Sequence, residues 1–176
     1  MTSHRVSPAV ASPGAPRLVP ELPGGLASAV LACGSGERWF AVRGLGPGLD
    51  SPRAAREFTQ QTLQAWDLGK VIEDASVIVS ELVTNALRHG LHRHPEGAGR
   101  EPVELFFWQC RGLLFCAVTD PAADPPVPAE PGPFAEAGRG LHVIEALSSA
   151  WGWGMLDACR KAVWAALRVP VTDPLG

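Results

Sequence analysis

Apolar and polar residues alternate along this chain with periods that change from segment to segment. Between Asp74 and Gly90, Ala75, Val79, Leu82 and Ala86 recur at helical spacing and form one narrow stripe. The pattern predicts a helix from about Val71 to His89, stopped by Gly90. An earlier helix is predicted from Ser51 to Trp66. Asp50 or Ser51 caps it, Pro52 suits its first turn, Ala54, Ala55, Phe58, Leu63 and Trp66 follow at near-helical spacing, and Gly69 ends it. Strand-like runs occur at Arg38–Arg43, ended by the Gly-rich turn 44–48, and at Val103–Gln109 and Leu113–Thr119. The short turn 110–112 makes the last two an antiparallel hairpin. A third helix is read over Gly138–Ser149, then strands at Trp151–Leu156 and Ala162–Val169 around a tight turn at 157–160.

Proline and glycine mark the remainder. Residues 120–137 hold six prolines among few apolar residues and form no regular element. Residues 91–101 read as a polar loop, and Leu26–Cys33 reads equally as a short strand or helix. The organisation expected is a disordered N-terminal tail over 1–25, one folded domain over 26–170 and a C-terminal tail over 171–176. Helices grouped apart from hairpin-linked strands imply an α+β two-layer sandwich, with a mostly antiparallel sheet and helices on one face.

Composition changes this picture little. At 176 residues, 46% hydrophobic and 19% charged, the chain can bury an ordinary core. A formal charge of −3 gives no general attraction to nucleic acid or to an anionic membrane. No apolar run approaches the ~20 residues that span a bilayer, and residues 1–23 lack the apolar core of a signal peptide. A cytoplasmic protein is expected. Cys33, Cys110, Cys116 and Cys159 show no CxxC spacing and sit mostly in apolar segments, so reduced, buried thiols are expected, with a disulfide or zinc role as the alternative.

The chemistry gathers on the second helix. Glu81 and Asn85 lie one turn apart and project together at the border of the apolar stripe, with His89 closer to it. A carboxylate and an amide there are costly to bury unless something satisfies them. A hydrated Mg²⁺ with phosphate oxygens would do so, and so would a solvated face; spacing does not decide between them. Asp120 closes a strand, where it is either a pocket acceptor or a turn residue. Gly138-Arg139-Gly140-Leu141 opens a helix, whose glycines and unpaired N–H groups suit a phosphate, although a GxG at a helix start is weak evidence by itself.

Together these residues carry a resemblance. ELVTNALRHG (81–90) resembles the N-box helix of the GHKL (Bergerat-fold) ATPases. Followed by VTDPA, a Pro-rich lid, GRGLHVIEALSSAWGW and KAVWAAL, it is similar to the anti-sigma regulatory factor, serine/threonine protein kinase branch of the single-domain actinobacterial type. The match runs over about residues 38–169. It implies the Bergerat fold and ATP with Mg²⁺ as cofactors. Asn85 would hold the metal and Glu81 would be the general base. His89, Gly138, Arg139, Gly140 and Leu141 would lie at the phosphate end, Asp120 would accept from the adenine amino group, and Lys161 would sit near the base of the site. It also implies protein partners, a sigma factor or a STAS-type anti-anti-sigma protein, and in many members a homodimer.

Two functions remain open on this reading. One is a kinase that phosphorylates an anti-anti-sigma partner; the other is an ATP-responsive or nucleotide-free binding module without phosphotransfer. Two departures from the family pattern bear on the choice. Ala122 stands where a glycine or small polar residue is usual, and Ala162 lacks a hydroxyl expected near the adenine, a loss of about 0.5–1.5 kcal/mol.

Overall fold

A computed structural model of the chain describes residues 39–91, 103–110, 112–121, 139–156 and 160–169. Strand β1 (Trp39–Leu45) leads into helix α1 (Ser51–Ala65); a 3₁₀ turn (Gly69–Val71) leads into helix α2 (Ile72–Asn85), which continues as a π-helical turn (Ala86–Leu91). Strands β2 (Val103–Cys110) and β3 (Leu113–Asp120) follow, then helix α3 (Arg139–Leu147) and strands β4 (Ala150–Met155) and β5 (Lys161–Arg168). The strands form one sheet in the order β1-β2-β3-β5-β4, antiparallel at every neighbouring pair. The expected α+β class, with helices layered on one face of an antiparallel sheet, is the architecture observed.

Period-two alternation along the strands sorts their side chains by face. Leu105 and Phe107 of β2, Cys116 and Val118 of β3, and Ala165 and Leu167 of β5 share a core with Phe58, Leu63, Ile78, Val79, Leu82 and Ile144 from the helices. Phe58 lies with its ring centroid 5.8 Å from that of Phe107. Full burial of a side chain such as Phe107 contributes about 1.5–3 kcal/mol. The stripe read on the second helix is buried as expected, Ala75, Val79, Leu82 and Ala86 all being at most 3% exposed. The opposite face of the sheet carries a separate apolar cluster around Trp108, Phe115 and Ala166.

Helix boundaries depart from the expected ones for local reasons. Neither Asp50 nor Ser51 caps α1 with its side chain. The Ser51 hydroxyl instead donates to the Gly46 carbonyl at 2.5 Å and pins the preceding turn. The helix ends at Ala65 and is closed at Asp67, not Gly69: Asp67 takes φ 56°, and the N–H groups of Asp67 and Leu68 return to the carbonyls of Gln64 and Leu63 at 3.1 and 2.8 Å. That is a Schellman closure with aspartate in the position glycine usually holds. The cysteine reading also needs correction. Cys116 is free and buried, but Cys110 is disulfide-bonded; Cys33 and Cys159 lie outside the described residues, as do both expected tails.

Candidate nucleotide site on the helical face

α2 presents Glu81 and Asn85 on one side, both half-buried at the edge of the core. α3 packs across α2 with its first turn against those two residues. The approach is close enough that a side chain at 140 would have to displace the Glu81 carboxylate. A Cβ on Gly140 would stand 2.5 Å from Glu81 Oε2 and 3.3 Å from Asn85 Nδ2. The structure therefore brings together three residues from two distant motifs: a carboxylate, an amide, and a helix start without a side chain. An anion at that helix start would meet unpaired N–H groups, and the carboxylate and amide oxygens suit a hard, hydrated cation.

The helical register changes just after Asn85. The expectation that Glu81, Asn85 and His89 lie on one regular helix assumes α-helical hydrogen bonding throughout, whereas Ala86–Leu91 is π-helical, with i→i+5 spacing. His89 lies within the π turn and its side chain is outside the described residues, as is Gly138. Arg139 begins α3, with its side chain also outside them. Leu141 is 5% exposed and packs into the core, so what it can offer a ligand is its backbone amide.

Asp120 and Lys161, the other two candidate residues, form a buried ion pair. They are register partners at the ends of β3 and β5, on the helix-facing side of the sheet. Lys161 Nζ donates to Asp120 Oδ1 at 2.8 Å, with the two side chains only 5% and 3% exposed. The antiparallel register, which the sequence does not display, makes this pairing. The same register corrects the expectation for Ala162. It pairs with Thr119, and alternation turns its side chain to the opposite face. A hydroxyl there would not look toward the helices, so its absence removes nothing from this site. The residue beside Asp120 on the helical face is Lys161.

A polar cluster backs this end of the sheet, and no sequence signal pointed to it. Arg160 Nη2 donates to Glu104 Oε2 at 2.5 Å and to Thr119 Oγ1 at 3.0 Å. It ties β2 and β3 to the start of β5, on the face away from the helices. With 40% and 37% of the Arg160 and Glu104 side chains exposed, the pair contributes at most about 1 kcal/mol. Among the described residues no group of His, Cys, Asp or Glu is arranged to hold a metal by itself, and no helix is long and apolar enough to cross a membrane.

Comparison with known proteins places this arrangement. The crystal structure of the RsbU and RsbW domains of Rv1364c from Mycobacterium tuberculosis is similar to the chain, with a TM-score of 0.54 at 20% sequence identity. The similarity covers 73% of this chain but 32% of that one, so the chain spans about a third of that protein's length. At this identity the likeness establishes the fold. No curated protein matches the sequence. The family model for the histidine kinase-like ATPase domain matches residues 48–156, from the turn before α1 to the end of β4, with Glu81, Asn85, Asp120 and Gly140 inside it. The chain belongs to the histidine kinase-like (GHKL) ATPase family.

Proposed function

We propose that the chain binds Mg-ATP on the helical face of its sheet and uses it to phosphorylate or sequester a regulatory protein partner. The observation that carries this reading is the contact of Gly140 with Glu81 and Asn85, which brings the first turn of α3 against a carboxylate and an amide with no side chain at 140 between them. Mg²⁺, when bound, supplies positive charge that neutralises the leaving phosphates. Asn85 holds the cation through its amide oxygen. The amides at the start of α3 bind phosphate oxygens, and Arg139, His89 and Gly138 border the same end. Asp120 accepts from the adenine amino group. A carboxylate has acceptor capacity for several donors, so the Lys161 contact does not preclude this. Glu81 orients the target serine or threonine hydroxyl and takes its proton. Catalysis then rests on positioning and charge neutralisation. The partner is a STAS-type anti-anti-sigma protein or a sigma factor, in keeping with the motif resemblance, and the protein acts in the cytoplasm.

One observation favours a second reading. The buried Asp120 carboxylate already has a partner within the protein, the Lys161 ammonium at 2.8 Å. A protein that keeps the fold and works through protein contacts alone would be stable in this state. Calorimetric titration with ATP and Mg²⁺ separates the two. Binding by the wild type that is lost in Asn85→Ala supports the nucleotide site, and no binding by folded wild type at millimolar ATP refutes it. Phosphate transfer to a STAS-type protein, abolished by Glu81→Gln while ATP binding persists, would then assign the chemistry.

A further inference from the structure

The β3–β5 register makes Asp120 and Lys161 neighbours, and together they offer a ligand something that neither offers alone. Across the sheet Lys161 stands between Asp120 of β3 and Met155 of β4, and of these two register partners only Asp120 is charged. Its Nζ lies 2.8 Å from Asp120 Oδ1, and both side chains are almost completely buried. The preceding cation, Arg160, bonds instead to Glu104 and Thr119 on the face away from the helices. α2 packs on both β3 and β5, and its π turn packs on β3, so the ion pair lies on the same side of the sheet as Glu81, Asn85 and Gly140.

A carboxylate alone selects adenine. It accepts from the 6-amino group, whereas guanine would set its 6-oxo oxygen against it, acceptor to acceptor. Leaving such buried groups unpaired costs about ten- to a hundredfold in affinity. An ammonium 2.8 Å from the carboxylate changes that. An ammonium carries three donors and a carboxylate about four acceptor positions, and their mutual bond uses one of each, so the pair as a unit has the capacity to donate and to accept. Adenine meets it with the 6-amino group on Asp120 and N1 on Lys161. Guanine meets it by sliding one position along its Watson–Crick edge. Its 6-oxo oxygen then accepts from Lys161, and its N1–H and 2-amino groups donate to Asp120. Every one of these hydrogen bonds is to a charged group, which makes it stronger than a neutral one.

We propose, on the reading that this face binds a nucleotide with its base at Asp120, that Lys161 sets the base specificity of the site. Paired with Asp120, it admits guanine nucleotides alongside ATP. Lys161 keeps its contact with Asp120 and takes the base as a further partner, so neither group is left as an unpaired buried charge when the ligand arrives or leaves. Without the ammonium the same carboxylate would refuse a 6-oxopurine.

The test is calorimetric titration of the full chain, in the presence of Mg²⁺, with ATP, GTP and N1-methyl-GTP. GTP is expected to bind no more than about tenfold more weakly than ATP. N1-methyl-GTP is expected to bind at least about tenfold more weakly than GTP, because its methyl group blocks the edge that meets Asp120. Lys161→Met, its fold checked by thermal melt, should lower GTP affinity relative to ATP by about ten- to a hundredfold, whereas Lys161→Arg, which keeps the cation, should not. Should Lys161→Met fail to fold, the wild-type series with N1-methyl-GTP decides. ATP bound with GTP refused, N1-methyl-GTP bound as tightly as GTP, or an unchanged GTP-to-ATP ratio in folded Lys161→Met would each overturn the proposal and leave the nucleotide site standing. Failure of both ATP and GTP to bind would overturn the nucleotide site, and the proposal with it.

Discussion

Replacing Lys161 by methionine tests whether the end of the sheet is held by charge. The wild-type pair is a 2.8 Å contact between side chains that are 5% and 3% exposed. Methionine keeps most of the stem volume but removes the ammonium, leaving the Asp120 carboxylate desolvated beside apolar atoms. Breaking a buried pair from one side costs about 3–5 kcal/mol, whereas removing both partners is often neutral. For a domain of this size that corresponds to a fall of about 10–15 °C in Tm. Asp120→Ala should be costly too, by stranding the ammonium, and the double variant should be less destabilised than the sum of the singles. Denaturant melts of the four proteins give the coupling energy. A coupling below about 0.5 kcal/mol, or a Lys161→Met loss under 1 kcal/mol, would show that the pair is no more than a surface contact.

Three further outcomes follow from single contacts. Gly140→Ala gains up to about 1 kcal/mol of helix propensity but forces Glu81 to move; Tm should stay within a few degrees while ATP affinity falls tenfold or more by calorimetry, and unchanged affinity would remove Gly140 from the site. Burial pushes the Cys116 thiol well above its ordinary range, so it should resist alkylation at pH 8.5 in the folded protein and react only in denaturant, as peptide mass mapping would show. The fold retains that proton more tightly than the unfolded chain does, so this contribution is complete at neutral pH and is lost as pH rises past the thiol's unfolded value of about 8.5. Asp67→Gly relieves a left-handed backbone at a helix C-terminus and should stabilise by about 0.5–1 kcal/mol in thermal melts; a loss of stability would mean that the Asp67 side chain contributes more than its backbone costs.

What could be read from the sequence was what a single period carries. The Ala75, Val79, Leu82, Ala86 stripe placed α2 on the core, and the short turn at 110–112 placed β2 beside β3, because each depends on neighbours a few residues away. Where a local choice had competitors, the reading failed. Gly69 looked like the helix stop, but the two backbone bonds of the Schellman turn made aspartate acceptable at 67. A helix running regularly to Gly90 was the economical reading, and nothing in ALRHG announces a change to π spacing.

The site divides along the same line. Glu81 and Asn85 were legible as a pair because one helical turn joins them. Their closure by Gly140 was suggested only by motif order, since the contact depends on how α3 lies across α2. The Asp120–Lys161 pair and the outward turn of Ala162 both follow from one fact, the β3–β5 register. A register shifted by one residue would reverse the two, placing Ala162 beside the carboxylate and Lys161 on the outer face. Burial on the helical side decides between them. Val163, Ala165 and Leu167 must face the core with Val118 and Cys116, and that parity commits Lys161 to Asp120. The charge at the base of the candidate pocket is thus set by the apolar residues that follow it along β5.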